Sequence, residues 1–176
     1  MPVQFLLCLA YLACALLAAA CYARLADQSP DRRHERFWLS IVALLILLAV
    51  LRSSRLFMAF GDGFRSVLVA GRLYELRQPV QIGAIAGFAL MQGAVWIWLM
   101  RRFARSPASY AATATLLMML LDLLAARASS LHRLDASLGA RVNGYFNVSE
   151  SIELALLAAM AACMLGLLVR RAAAIR

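Results

Sequence analysis

The chain has 176 residues, of which 64% are hydrophobic, and a mean hydropathy of +0.78. An average soluble domain is about 45–50% apolar, so a chain this short has too few polar residues to cover a soluble surface. All 18 basic residues are Arg, and nine acids leave a formal net charge of +9. The arginines sit at the ends of apolar runs, where they meet anionic headgroups and set orientation, and this excludes a nucleic-acid-binding reading. In hydrocarbon every backbone N–H and C=O must be paired internally, which leaves helix bundles and closed barrels. The apolar runs are continuous rather than alternating, so the expected fold is all-α: one integral membrane domain, a transmembrane helix bundle of about five spans. The Ala, Leu and Arg bias points to a GC-rich bacterial gene and a bacterial inner membrane.

A span needs roughly 20 apolar residues. The first expected span covers 3–23. It ends in Ala18-Ala19-Ala20-Cys21, faintly like a lipoprotein cleavage site. No basic residue precedes it, as a signal peptide would require, so it reads as a retained helix. The second covers 37–60, opening at Phe37-Trp38 and continuing past Arg52 and Arg55. The third covers 80–100 and carries Gly83 and Gly87, a GxxxG spacing that predicts close helix approach, with Gly93 beyond. The fourth covers 108–126. The fifth covers 150–169, with Asn147 and Glu150 spaced as an N-cap and its capping-box partner. Cys8, Cys14, Cys21 and Cys163 all lie in apolar runs and read as small buried hydrophobes.

Loop one (24–36), loop three (101–107) and the tail carry ten Arg on one side, against eight on the other. The compact basic runs are the better orientation signal. They are expected in the cytoplasm with the C-terminus, leaving the N-terminus and loops two and four in the periplasm.

Ionisable residues inside spans are functional candidates by default. Counted from the cytoplasmic ends, Arg52 lies roughly 22 Å and Asp122 roughly 21 Å along their helices. Glu153 lies about one turn, some 5 Å, below the opposite surface. All three thus fall in one outer layer, joined by Gln81. Arg55 shares a face with Arg52, and Arg127, Ser129, Ser130, His132 and Asp135 stand above Asp122. Loop two adds Asp62, Arg65, Arg72, Tyr74, Glu75, Arg77 and Gln78. Loop four adds Arg141, Asn143 and Asn147. The blander readings are an Arg52–Asp122 ion pair joining two helices, the cap for Asn147 and Glu150, and a solvated surface pair for His132 and Asp135. Glu153 is left unexplained by these. His34 lies in loop one on the far side, so a multi-His metal or haem site is disfavoured and no cofactor is expected. The Asn147-Val148-Ser149 sequon reads as accidental. There is no phosphate-binding glycine loop, nucleophile elbow or HExxH.

Two stretches, Gly71 to Gln81 and Arg127 to Asp135, resemble an uncharacterised group of small bacterial polytopic inner-membrane proteins. Those proteins carry an aromatic-Tyr, Arg, Gln motif in one external loop and an Arg-Ala-Ser-Ser-Phe-His-His-x-Asp motif before the last span. Leu73 stands here where the group has Trp, Leu131 where it has Phe, and Arg133 where it has a second His. The resemblance covers about a quarter of the chain. It implies a feature shared by the two loops and brings no activity with it.

Three functions follow. The first is a binding or accessory role, with Arg52, Arg55, Asp122, Arg127, Tyr74, Arg77 and Gln81 holding an anionic lipid, a lipid-linked phosphate or a partner subunit. The second is an enzyme acting on a lipid-like substrate, with His132 as general base, Asp135 orienting it and Glu153 or Asp122 as a carboxylate. The third is a small transporter or proton or ion path through Asp122 and Glu153. The expected partners are membrane lipids and another membrane subunit, and not nucleic acid.

Overall fold

The computed structural model describes residues 2–26, 32–54, 77–103, 108–128 and 146–173. These form five helices: α1 (Pro2–Ala26), α2 (Arg32–Ser53), α3 (Arg77–Arg102), α4 (Ala108–Ala128) and α5 (Val148–Ala173). Each of them overlaps one expected span. Four, namely α1, α2, α4 and α5, are long and apolar enough to cross a membrane. α3 is 26 residues long and opens with Pro79 in its first turn, where a missing N–H costs nothing. α2 starts earlier than expected, so Arg32, Arg33, His34 and Arg36 belong to its first turns rather than to a loop. Its regular helix closes at Ser53, and the continuation to Phe60 lies outside the described residues.

The core is built on a repeat of alternating three- and four-residue steps. On α1 the buried positions are Leu7, Tyr11, Cys14, Ala18 and Cys21. On α2 they are Trp38, Ile41, Leu45 and Leu48, on α4 Tyr110, Thr113, Leu117, Leu120 and Leu124. On α5 they are Glu150, Glu153, Leu157, Met160, Met164 and Leu167. A mean spacing of 3.5 keeps one seam facing the partner helices and suits a left-handed bundle with helices about 20° off parallel.

α1 packs between α2 and α5, and α5 packs between α1 and α4. The ring closes where Phe37 and Trp38 of α2 meet Tyr110 of α4, with ring centroids 5.1 and 5.3 Å apart. α1 and α5 run parallel: Cys14 and Cys21 point their thiols at the carbonyls of Leu157 and Met164, at 3.3 and 3.8 Å. These cysteines are the small residues of that interface, and all four in the chain are free thiols. Outward faces carry apolar side chains such as Leu16, 72% exposed, and Leu90, 76% exposed, a surface suited to lipid rather than water.

α3 lies outside this ring and rests on α4. Its contact face is the buried Gln92 with the half-buried Leu99, Met100 and, just past the helix, Phe103, and Trp96 donates its indole N–H to Thr115 Oγ1 at 2.9 Å. The GxxxG pair is not at this interface. A Cβ added at Gly83 or Gly87 would meet nothing within 4 Å, so the expected close approach is not made inside the chain. The reason is angular: Gly83 is about 180° around the helix from Gln92 at 100° per residue.

Core and lipid positions should separate cleanly. Leu45→Ala, at a fully buried seam position, should cost about 2 kcal/mol, near the lower end for buried Leu because the unfolded reference also sits in hydrocarbon. Leu16→Ala should change stability by less than about 0.5 kcal/mol. Equilibrium unfolding in mixed micelles reads both.

Candidate functional site

The polar members of the seam meet at one end of the bundle. Asn147 opens α5 as expected: its backbone N–H donates to Glu150 Oε2 at 3.1 Å, and its carbonyl accepts from the Ser151 N–H at 3.0 Å. This is the reciprocal half of a capping box. Glu150 Oε1 also lies 3.7 Å from Arg52 Nη2. One turn on, Glu153 is 1% exposed and places Oε2 3.3 Å from the same Arg52 nitrogen. Its Oε1 accepts a hydrogen bond from the Tyr11 hydroxyl at 2.8 Å.

Three helices therefore meet on one carboxylate. Arg52 continues the α2 seam, four residues after Leu48. Glu153 precedes Leu157 by four on α5. Tyr11 follows Leu7 by four on α1. A carboxylate left alone at such a position would be strongly penalised. A guanidinium and a hydroxyl bond at its two oxygens offset that cost. Arg52 faces two carboxylates, and its Nε bonds to no described group.

The expected Arg52–Asp122 pair is not the contact that forms. Asp122 accepts a hydrogen bond from Gln92 Nε2 of α3 at 2.9 Å and is exposed, while Gln92 is buried. At 100° per residue Asp122 stands about 200° from both Leu120 and Leu124, on the side of α4 turned away from the core. Depth put Arg52, Asp122 and Glu153 in one layer; Arg52 and Glu153 do meet, but rotation turns Asp122 away from them. Glu153 and Asp122 thus look to opposite sides of α4. Between Glu153 and the far end, the core is filled by Leu45, Leu117, Leu120, Leu157, Met160 and Met164.

Of the other expected site residues, Arg55, Tyr74, His132 and Asp135 lie outside the described residues. Arg77 and Gln81 stand in the first turns of α3 and Arg127 in the last turn of α4, with side chains outside those described. Of the residues proposed as catalytic, Glu153 alone is described, and it is held by Tyr11 and Arg52.

At the opposite end a ring cluster joins α2, α3 and α4. Tyr110 lies 5.3 Å from His34, 5.1 Å from Phe37, 5.3 Å from Trp38 and 5.7 Å from Phe103. His34, expected in a loop, belongs to this cluster and also meets Phe103 at 6.0 Å. Among the described residues, no group of three His, Cys, Asp or Glu is placed to hold a metal ion.

Sequence reasoning missed Tyr11 and Gln92. Tyr11 could have been found from the four-three stepping of Leu7, Tyr11, Cys14, Ala18 and Cys21. Gln92 carries the ordinary warning of an amide inside an apolar span.

Comparison of the chain with protein-family models, with curated proteins and with solved structures gives no match.

Removing one member of the buried cluster should be worse than removing two. Arg52→Leu should cost about 3–5 kcal/mol by removing the guanidinium that faces both buried carboxylates. Adding Glu153→Leu should restore a large part of that. Tyr11→Phe should cost only about 1 kcal/mol, as intramembrane hydrogen bonds do. A double-mutant cycle by unfolding in mixed micelles measures all of these.

Proposed function

We propose that this chain is an accessory protein of a bacterial inner membrane that binds another membrane protein through its α3–α4 side. The single observation that carries this reading is Asp122, an exposed carboxylate inside an apolar helix, four residues before the end of its span at Ala126. An ionisable group at that depth demands a partner. Gln92 supplies one amide donor but no charge, and its own Oε1 has no hydrogen-bond partner among the described residues. α3 adds large exposed side chains beside it, including Leu90, Met91, Val95 and Trp98.

The partner is a different protein rather than a second copy. A two-fold axis along the membrane normal that passes beside Asp122 would bring Asp122 against Asp122, because such an interface repeats the same patch on both subunits. Like charges in hydrocarbon repel, so the complementary span carries Arg, Lys or another strong donor at matching depth. Among the ligands considered for the outward cluster, an anionic lipid or lipid-linked phosphate is less favoured at Arg52, because Glu150 and Glu153 already face that guanidinium.

The orientation belongs to the same proposal, with the N-terminus periplasmic and the C-terminus cytoplasmic. Arg24, Arg32, Arg33, Arg36, Arg101, Arg102 and Arg170 gather at one end of the helices and support it through the positive-inside rule. The Ala, Leu and Arg composition and the two loop motifs support the bacterial setting.

A photoreactive residue at Met119, 52% exposed, tests the docking side in living cells. The expected result is a discrete adduct with a second protein that is lost in Asp122→Leu and kept in Leu9→Ala. An adduct of two copies of this chain, or an adduct indifferent to Asp122→Leu, would overturn the reading.

A further inference from the structure

We infer that the arginine-rich end of the bundle holds an anionic phospholipid in a groove between the last turns of α1 and α5, independently of the α3–α4 docking side. The groove measures about 530 Å³ and is lined by Ala20, Ala23, Arg24, Leu168, Val169 and Ala172. On α1 the lining positions are spaced three and four apart, one face of a helix. On α5 Leu168 and Ala172 are four apart and likewise share a face.

The two helices touch closely higher up, where Tyr11 meets Glu153 and Cys14 and Cys21 meet Leu157 and Met164. Below Cys21 and Leu167 the buried seam ends. Half of the lining side chains are then alanines, too short to fill the space. Alanine usually draws helices together in a membrane. Here it leaves a groove of a size that suits a small ligand. The lining is apolar apart from Arg24, so hydrocarbon suits it better than water.

The position of the charges identifies the headgroup. Arg24 and Arg170 end the apolar stretches of α1 and α5, so both stand where hydrocarbon gives way to headgroups. An acyl chain lying along the alanines brings its phosphate to the Arg24 guanidinium, whose fork matches phosphate oxygens. Arg32, Arg33, Arg36, Arg101 and Arg102 crowd the same end, with Glu35 the acid among the described residues there. That field selects a headgroup of net negative charge over a zwitterionic one.

The test uses the full-length purified chain in detergent, with phosphatidylglycerol or phosphatidylcholine of identical acyl chains added and bound lipid counted by native mass spectrometry. The wild type should prefer phosphatidylglycerol by about tenfold, and Arg24→Gln should lower that preference about fivefold. Ala23→Phe or Ala172→Phe, each filling the groove at a helix end, should remove the retained lipid of either kind while thermal unfolding stays within a few degrees. Leu9→Ala, at an exposed position of α1 away from the groove, should leave binding unchanged. No preference in the wild type, or retention of the same lipid in both Arg24→Gln and the two Phe variants, would overturn the site. Loss of lipid only in variants that also unfold at lower temperature would assign the effect to the fold and would likewise overturn it.

Discussion

A carboxylate inside a helix that crosses hydrocarbon has to be answered by something, and the bundle is arranged around how Glu153 is answered. Its oxygens meet Arg52 at 3.3 Å and Tyr11 at 2.8 Å, from two different helices. Lipid offers helices little hydrophobic reason to associate, since acyl chains are as apolar as leucine. Packing and a few polar contacts must therefore choose the arrangement. Leu, Met and Ala layers tolerate a slip by one turn at modest cost. A buried guanidinium that loses its carboxylates does not. The cluster thus fixes which face of α1, α2 and α5 turns inward, and the apolar seam below it follows.

The same reasoning distinguishes the two intramembrane acids. Glu153 occupies a core position and is neutralised within the chain. Asp122 occupies the outer side of α4, bonded by one amide. The first is an internal device, and the second turns toward whatever lies beside the bundle. The transporter-like reading needed both acids on one path, and their placement on opposite sides of α4 removes its geometric support. The enzyme reading drew its carboxylate from Glu153 or Asp122, and of these Glu153 is already held by Tyr11 and Arg52. A binding or accessory role draws instead on the surfaces left over: the α3–α4 side and the arginine-rich end.

Much of the fold was legible in the sequence, because continuous apolar runs of span length admit little besides helices. The stretches expected at 80–100 and 108–126 match the helices α3 and α4 within three residues at either end, and the Asn147–Glu150 cap is visible from its spacing. What depth alone could not provide was rotation. Arg52, Asp122 and Glu153 lie at similar heights, and only their phase against Leu48, Leu120, Leu124 and Leu157 tells which face the core. That phase was present in the three-four stepping but was hidden by the all-round hydrophobicity of spans whose outer faces are also apolar. The GxxxG on α3 misled for a related reason: small residues mark a face able to pack closely, and do not say whether the neighbour comes from the same chain. The loop residues that completed the expected cluster, His132 and Asp135 among them, lie outside the described residues.

The parallel contact of α1 and α5 is the most direct consequence of the Tyr11–Glu153 anchor, and it can be read with one disulfide. In a chain retaining Cys14 as its only native cysteine, Leu157→Cys should cross-link to Cys14 under mild oxidation, because the Cys14 thiol lies 3.3 Å from the Leu157 carbonyl. Leu165→Cys, exposed and about two turns further along α5, should not. Rapid closure at 157 and none at 165 is the predicted result. Closure at 165 in preference to 157, or at neither, would contradict the register and with it the assignment of Glu153 to the core.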